Sequence, residues 1–313
     1  MANQPHQRLR TALSGVSGIL VTPFDSDDQI APKRLAPVAD RAIAAGVSIL
    51  VANGNTGEFY ALTTTEAEAM VHACAEQVAD RVPLLAGIGR GIHDALALTR
   101  ASRQAGAAGL MIHQPPDPFV APRGVVGYVS RIVEEAQGLP VMLYLRDDGI
   151  GLKAISELCA IPNVVGVKWA CPTPMRLAEA IKDNDPDLVW SGGLAETWAP
   201  AFYAVGAHGF TSGLINVWPE RSVAISRALE DGDYAAAREL IDGISSFEAM
   251  RAEERNGANV SVVKAALQFL GDDCGPPRLP AAWPLSEATK QALKDLLANV
   301  PAARRQRAAL GAH

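Results

Sequence analysis

The sequence predicts an α/β protein, a (β/α)8 TIM barrel with a C-terminal helical extension. Three observations predict it. Short β-rich apolar runs alternate with Ala-rich helical stretches from about residue 18 to residue 230. Most runs are apolar on both alternating faces, as parallel strands covered on each side must be. Eight strand–helix units of roughly 25–30 residues then fill the first 230 positions, which is barrel arithmetic. A doubly wound open sheet is the architectural alternative on pattern alone.

The strand runs fall at 18–24, 48–53, 83–89, 109–113, 140–145, 164–170, 188–191 and 209–212. Between the first two, Leu35, Val38, Ala42 and Ile43 share one helical face, and Gly46 supplies the left-handed stop. The next helix opens on Thr63 with Glu66 three residues later, a capping box. Ala67, Met70, Val71, Cys74 and Val78 then form its buried stripe. Segments 44–51, 104–111 and 204–211 share one grammar: a helix closes on glycine, small residues follow, and a strand begins. Beyond residue 230 no strand run is evident, and 235–248, 260–270 and 286–297 read as helices. The expected organisation is a barrel over 1–230, C-terminal helices packed on it over 231–300, and a frayed, solvated tail over 301–313.

Composition removes several functions. Against 34 Asp and Glu there are 28 Lys and Arg, a formal charge of −6, which argues against nucleic-acid binding. No run approaches ~18 apolar residues, so no membrane span is expected. Residues 1–14 lack the apolar core of a signal peptide, and a cytoplasmic location is expected. The four cysteines form no CxxC pair, which argues against structural zinc and a disulfide scaffold. No two histidines stand at metal-ligand spacing.

In a barrel, chemistry sits at the carboxyl ends of the strands. Of seven lysines, Lys168 alone interrupts an apolar strand run, Val164-Val165-Gly166-Val167-Lys168-Trp169-Ala170; the other six fall on predicted helices or their ends. An ammonium enclosed by valine and tryptophan loses hydration, and the neutral amine so favoured is able to attack a ketone. The competing reading is a lysine whose stem packs while its head reaches water or a carboxylate. Tyr144 ends the neighbouring strand and offers a phenol for proton transfer, or else a core tyrosine. Arg146 shares its face and is suited to hold a carboxylate, or to pair with Asp147 or Asp148. Asn53-Gly54-Asn55-Thr56-Gly57-Glu58 follows the second strand and lets backbone N–H groups converge on an anion, or is an ordinary turn. The cluster Gly87–Gly91 fails the dinucleotide fingerprint, because residue 92 is isoleucine. His113 reads as an acid/base or, more simply, a polar rim residue.

Taken together, these segments resemble the dihydrodipicolinate synthase/N-acetylneuraminate lyase family of class I aldolases. The resemblance runs from about residue 16 to residue 300. It rests on Thr22-Pro23-Phe24, Gly54-Asn55-Thr56-Gly57-Glu58, Tyr144, Val165-Gly166-Val167-Lys168, Ser191-Gly192-Gly193 and Val263-Lys264-Ala265-Ala266-Leu267, in that order on the expected strands. It implies a cofactor-independent lyase in which Lys168 forms a Schiff base with pyruvate or a related 2-keto acid and Tyr144 shuttles protons. Asn55 and Thr56 would grip the substrate carboxylate, with Arg146, Gly192 and Thr211 as further substrate contacts. A homo-oligomer, dimer or tetramer, is implied as well.

Departures narrow the reading. Lysine-pathway synthases usually carry a second hydroxyl where this chain has Asn55, and a tyrosine where 114–119 has none. Their Tyr-Asn-x-Pro motif is replaced by Tyr144-Leu145-Arg146-Asp147-Asp148. This arrangement, with Gly192-Gly193-Leu194, looks more like the branch acting on 5-dehydro-4-deoxyglucarate. Dihydrodipicolinate synthase (4-hydroxy-tetrahydrodipicolinate synthase) is the alternative enzyme, and a non-catalytic keto-acid-binding regulator the alternative of another class.

Overall fold

The computed structural model describes residues 4–298 and 300. Eight parallel strands close into one barrel in chain order: β1 Val16–Ile19, β2 Ile49–Ala52, β3 Leu84–Ile88, β4 Gly109–His113, β5 Val141–Leu145, β6 Val164–Trp169, β7 Val189–Gly192 and β8 Gly209–Ser212. The doubly wound alternative is thereby excluded, since β1 pairs with β8.

Two apolar cores follow from the strand alternation. Inward residues, among them Ile19, Val51, Leu85, Met111, Met142 and Val189, fill the lumen. Outward residues such as Leu50, Ile112, Leu143 and Trp190 pack beneath the surrounding helices. The helix at Ala36–Ala45 ends as the sequence predicts, with Gly46 at φ 95°. Thr63 and Glu66 form the reciprocal capping box on Thr64–Val78.

Three elements differ from the sequence reading. First, β1 is Val16–Ile19, not 18–24. Residues 20–24, apolar except for Thr22, are buried beyond the strand: Val21 N–H donates to Asn216 Oδ1 and Phe24 N–H to the Cys274 carbonyl. Second, the polar N-terminal stretch forms a helix, Gln4–Leu13, whose Leu9 and Leu13 belong to the lumen core and plug that end of the barrel. Third, the helix expected over 235–248 is two, Tyr234–Asp242 and Ser245–Asn256. They part at Ile244, which is non-helical and fully buried. Helical geometry in the second breaks again at Glu253 to Arg255. Asn259–Phe269 and Glu287–Leu297 complete the C-terminal layer. The expected frayed tail over 301–313 lies outside the described residues.

Candidate active site

Strand β6 aims its lysine by an irregularity. Val164 packs outward and Val165 inward, but Val167 and Trp169 pack outward again. The register with β5 shifts there, from Val141↔Val164 to Met142↔Gly166. One extra residue is thus inserted at Val165, a bulge that reverses the alternation. Without it Lys168 would share the outward face of Val164. With it, Lys168 stands beside Tyr144 on β5 and Ser191 on β7, facing the lumen.

Lys168 is 3% exposed, and its Nζ lies 4.0 Å from the centroid of the Tyr144 ring. Among the described residues no carboxylate pairs with it and no hydrogen bond holds it. Burial, with like-charge repulsion from Arg146 added, brings its pKa down to about 7. Tyr144 is buried too, and desolvation raises its phenol above the usual range although Arg146 opposes this. Asn55 Nδ2 donates to the Tyr144 oxygen at 2.8 Å, which leaves the phenolic hydrogen for another acceptor.

Arg146 has no carboxylate partner among the described residues. Asp147 instead accepts from Gly149 N–H and Asp148 from the Thr173 hydroxyl. The Arg146 guanidinium lies over the rings of Tyr60 and Tyr144, at 5.4 and 5.8 Å. Gln114, directly after β4, fixes the start of this loop: its Oε1 accepts from the N–H groups of Arg146 and Asp147, and its Nε2 donates to the Asp147 carbonyl.

The loop 54–58 is anchored from three sides. Thr22 donates to the Gly57 carbonyl at 2.7 Å. Glu58 Oε2 accepts from Arg278 N–H, and Glu58 Oε1 lies 2.6 Å from Lys264 Nζ. Both members of this pair are buried; desolvation pushes Glu58 up and Lys264 down, and their mutual attraction opposes each shift. Lys264, the other lysine carried by the resemblance, is therefore held by a carboxylate where Lys168 is not.

A cavity of about 370 Å³ opens at this mouth. Lys168, Tyr144, Asn55, Thr56, Arg146 and Thr211 all line it. Gly192, expected among the substrate contacts, is not among the residues that line it. Strand alternation turns it outward, where a side chain would meet Phe202 at 2.7 Å; the next residue, Gly193, lines the cavity instead. His113 is also absent from the lining. It packs edge-on behind Tyr144, ring centroids 4.9 Å apart, and burial holds it well below its ordinary pKa, hence neutral.

Sequence reasoning missed the wall supplied by the C-terminal helices: Glu248, Arg251, Asn256 and Asn259 line the cavity. Glu248 and Arg251 stand three apart and form a 2.6 Å ion pair, a spacing that the sequence alone offers at many surface positions. Behind this wall Glu196 is fully buried, accepting from the hydroxyls of Ser212 and Ser222. Burial and the nearby Glu248 raise its pKa. Among the described residues no group of three His, Cys, Asp or Glu side chains is placed to hold a metal ion.

Fold and mouth together define a class: a (β/α)8-barrel enzyme with an unpaired, desolvated lysine in its pocket. Residues 12–300 match the model of the Dihydrodipicolinate synthetase family, and the chain belongs to that family. It is an enzyme of the class I lyase type. The chain is 33% identical over 300 residues to a probable 5-dehydro-4-deoxyglucarate dehydratase 1 of Streptomyces coelicolor, covering 93% of this chain and 94% of that one. A probable 5-dehydro-4-deoxyglucarate dehydratase of Rhizobium rhizogenes is 30% identical, with 85% and 89% covered. Among solved structures, dihydrodipicolinate synthase from Bacillus clausii superposes with a TM-score of 0.89 at 36% identity, covering 93% and 98%. A prophage protein of the dihydrodipicolinic acid synthase family from Escherichia coli K12, solved in complex with pyruvate, superposes with a TM-score of 0.81 at 26% identity, covering 91% and 98%. No described helix is long and apolar enough to cross a membrane.

Proposed function

We propose that this lyase forms a Schiff base between Lys168 and the C2 carbonyl of a 2-keto sugar acid, and that it is a dehydratase of the 5-dehydro-4-deoxyglucarate type. The observation that carries the reading is the unpaired Lys168 amine, desolvated yet open to the cavity beside Tyr144. Neutral Lys168 attacks C2, and the carbonyl oxygen departs as water while Tyr144 carries protons between nitrogen and oxygen. The iminium draws electrons from the neighbouring C–H bond, the proton that leaves C3 is passed to the β-hydroxyl that the enamine expels as water, and hydrolysis of the remaining iminium frees the product ketone and Lys168. No external oxidant or reductant is needed for this elimination. Asn55 and Thr56 bind the carboxylate next to C2, and Arg146 and Thr211 contact the rest of the substrate.

The names of the curated relatives favour the dehydratase, whereas the structural neighbours are named dihydrodipicolinate synthases. Asn55 weighs toward the first. Its amide donates to Tyr144 but cannot pass a proton on as a hydroxyl can. Borohydride reduction with pyruvate, followed by peptide mapping, tests the imine: the adduct is expected on Lys168 and absent from Lys168→Ala. Turnover of 5-dehydro-4-deoxyglucarate against condensation of pyruvate with aspartate semialdehyde separates the two enzymes. No turnover of either with an intact adduct would support the regulator. A homo-oligomer is part of this reading, since Phe119 stands 93% exposed in the loop after β4. So is a cytoplasmic location, with which four unpaired thiols accord.

A further inference from the structure

The C-terminal wall of the cavity carries an arginine whose geometry asks for an anion. Arg251 is 7% exposed. Two of its three guanidinium nitrogens are already engaged: Nη1 pairs with Glu248 Oε1 at 2.6 Å, and Nε donates to Asn259 Oδ1 at 2.9 Å. These two contacts fix the plane of the fork. Among the described residues Nη2 donates to no acceptor.

The position of Nη2 is set by Gly213, directly after β8. A Cβ on that residue would stand 2.6 Å from Arg251 Nη2 and 3.0 Å from Thr56 Oγ1. The absence of a side chain there lets Arg251 Nη2 and Thr56 Oγ1 come close together against the Gly213 backbone, and all three residues line the same cavity. The two donors and the glycine come from three separated places: the loop after β2, the residue after β8 and the helix Ser245–Asn256. A planar fork with one edge anchored and one nitrogen free is suited to a carboxylate. Arg146 and Arg251 outnumber Glu248 among the charged lining groups, so the field at the mouth favours an anion.

We propose that Arg251 is a specificity-determining residue that binds the carboxylate adjacent to the reacting ketone, together with Thr56 over Gly213. This rests on the reading of the site as a 2-keto-acid lyase and adds to it a cation from outside the barrel. Arg146, at the Tyr60 and Tyr144 side, is then left for a second, distal anionic group. The site accordingly selects keto acids over neutral ketones through Arg251, and dicarboxylates over monocarboxylates through Arg146.

Borohydride trapping with pyruvate and with hydroxyacetone, a ketone lacking the carboxylate, tests this on wild type, Arg251→Gln and Arg251→Lys. In Arg251→Gln the pyruvate concentration giving half-maximal adduct on Lys168 is expected to rise at least ~10-fold. Hydroxyacetone trapping should change less than about twofold, with the lysine variant between the two. Hydroxyacetone thus reports whether the variant still folds and reacts. Equal losses for both ketones would make Arg251 a structural residue and overturn the proposal, as would an unchanged pyruvate dependence. Absence of any wild-type adduct on Lys168 rejects the imine reading instead. Calorimetric titration of pyruvate then decides the arginine's role: binding lost in Arg251→Gln upholds it, and binding that is equal or absent in both proteins refutes it.

Discussion

Replacing Lys168 by methionine should stabilise the protein while abolishing its chemistry. The side chain is buried in the barrel mouth, and its pKa falls from the 10.5 of a solvated lysine to about 7. Between those values the unfolded chain holds a proton that the folded chain does not, so stability rises with pH across this window. The penalty is therefore complete below pH 7 and relieved toward pH 10.5. Proton linkage puts it at ~4 kcal/mol at pH 7 and ~1 kcal/mol at pH 9.5. Methionine keeps most of the apolar stem and carries no charge, so Lys168→Met removes the penalty with little loss of packing. Urea unfolding followed by circular dichroism at both pH values is the assay. The variant's midpoint should lie well above wild type at pH 7, and the gap should narrow by more than half at pH 9.5. A variant no more stable than wild type at pH 7, or a gap independent of pH, would refute the claim that this amine is kept dry at a cost to the fold. Acylation by an amine-directed reagent gives a second view: Lys168 should become reactive around pH 7.

Three further outcomes follow from the same geometry. Tyr144→Phe should lower turnover ~10²–10⁴-fold, while prolonged borohydride treatment with pyruvate still labels Lys168; unchanged turnover would remove the phenol from the mechanism. Glu58→Gln strands a buried ammonium on Lys264 and should cost about 3–5 kcal/mol in urea unfolding, most of it recovered in the Glu58→Gln/Lys264→Met double variant. Recovery of nothing would show that the pair is not coupled. Phe119→Asp should shift the protein to smaller species in sedimentation velocity without altering its circular dichroism, and an unchanged sedimentation coefficient would take this loop out of any subunit interface.

Much of the site was legible because strand ends are where a parallel barrel puts its chemistry, and Lys168 was the one lysine in an apolar strand run. Asn55, Thr56, Tyr144, Arg146 and Thr211 line the same cavity. Gly192 lies off this cavity for a reason of parity: as the last residue of β7 it faces outward, and the next residue, Gly193, lines the pocket. Gln114 was noticed only as part of a loop without tyrosine, yet its amide holds the backbone of Arg146 and Asp147. The N-terminal helix escaped notice because three buried residues suffice to seat it, too few to make a periodic signal.

Local sequence determined the strand and helix succession, the caps at Gly46 and Thr63, and the chemical types available at the mouth. These are near-neighbour properties, set by side-chain alternation, backbone freedom and hydrogen bonds spanning a few residues. Tertiary structure alone decided which way Lys168 faces, because the inserted residue at Val165 is defined only by pairing with β5. It also decided that Lys264 is neutralised by Glu58, some two hundred positions away in the chain, and that Arg251 reaches across from the C-terminal layer to Thr56 and Gly213. Charge pairing and cavity lining depend on distances through space, and no period along a chain encodes them.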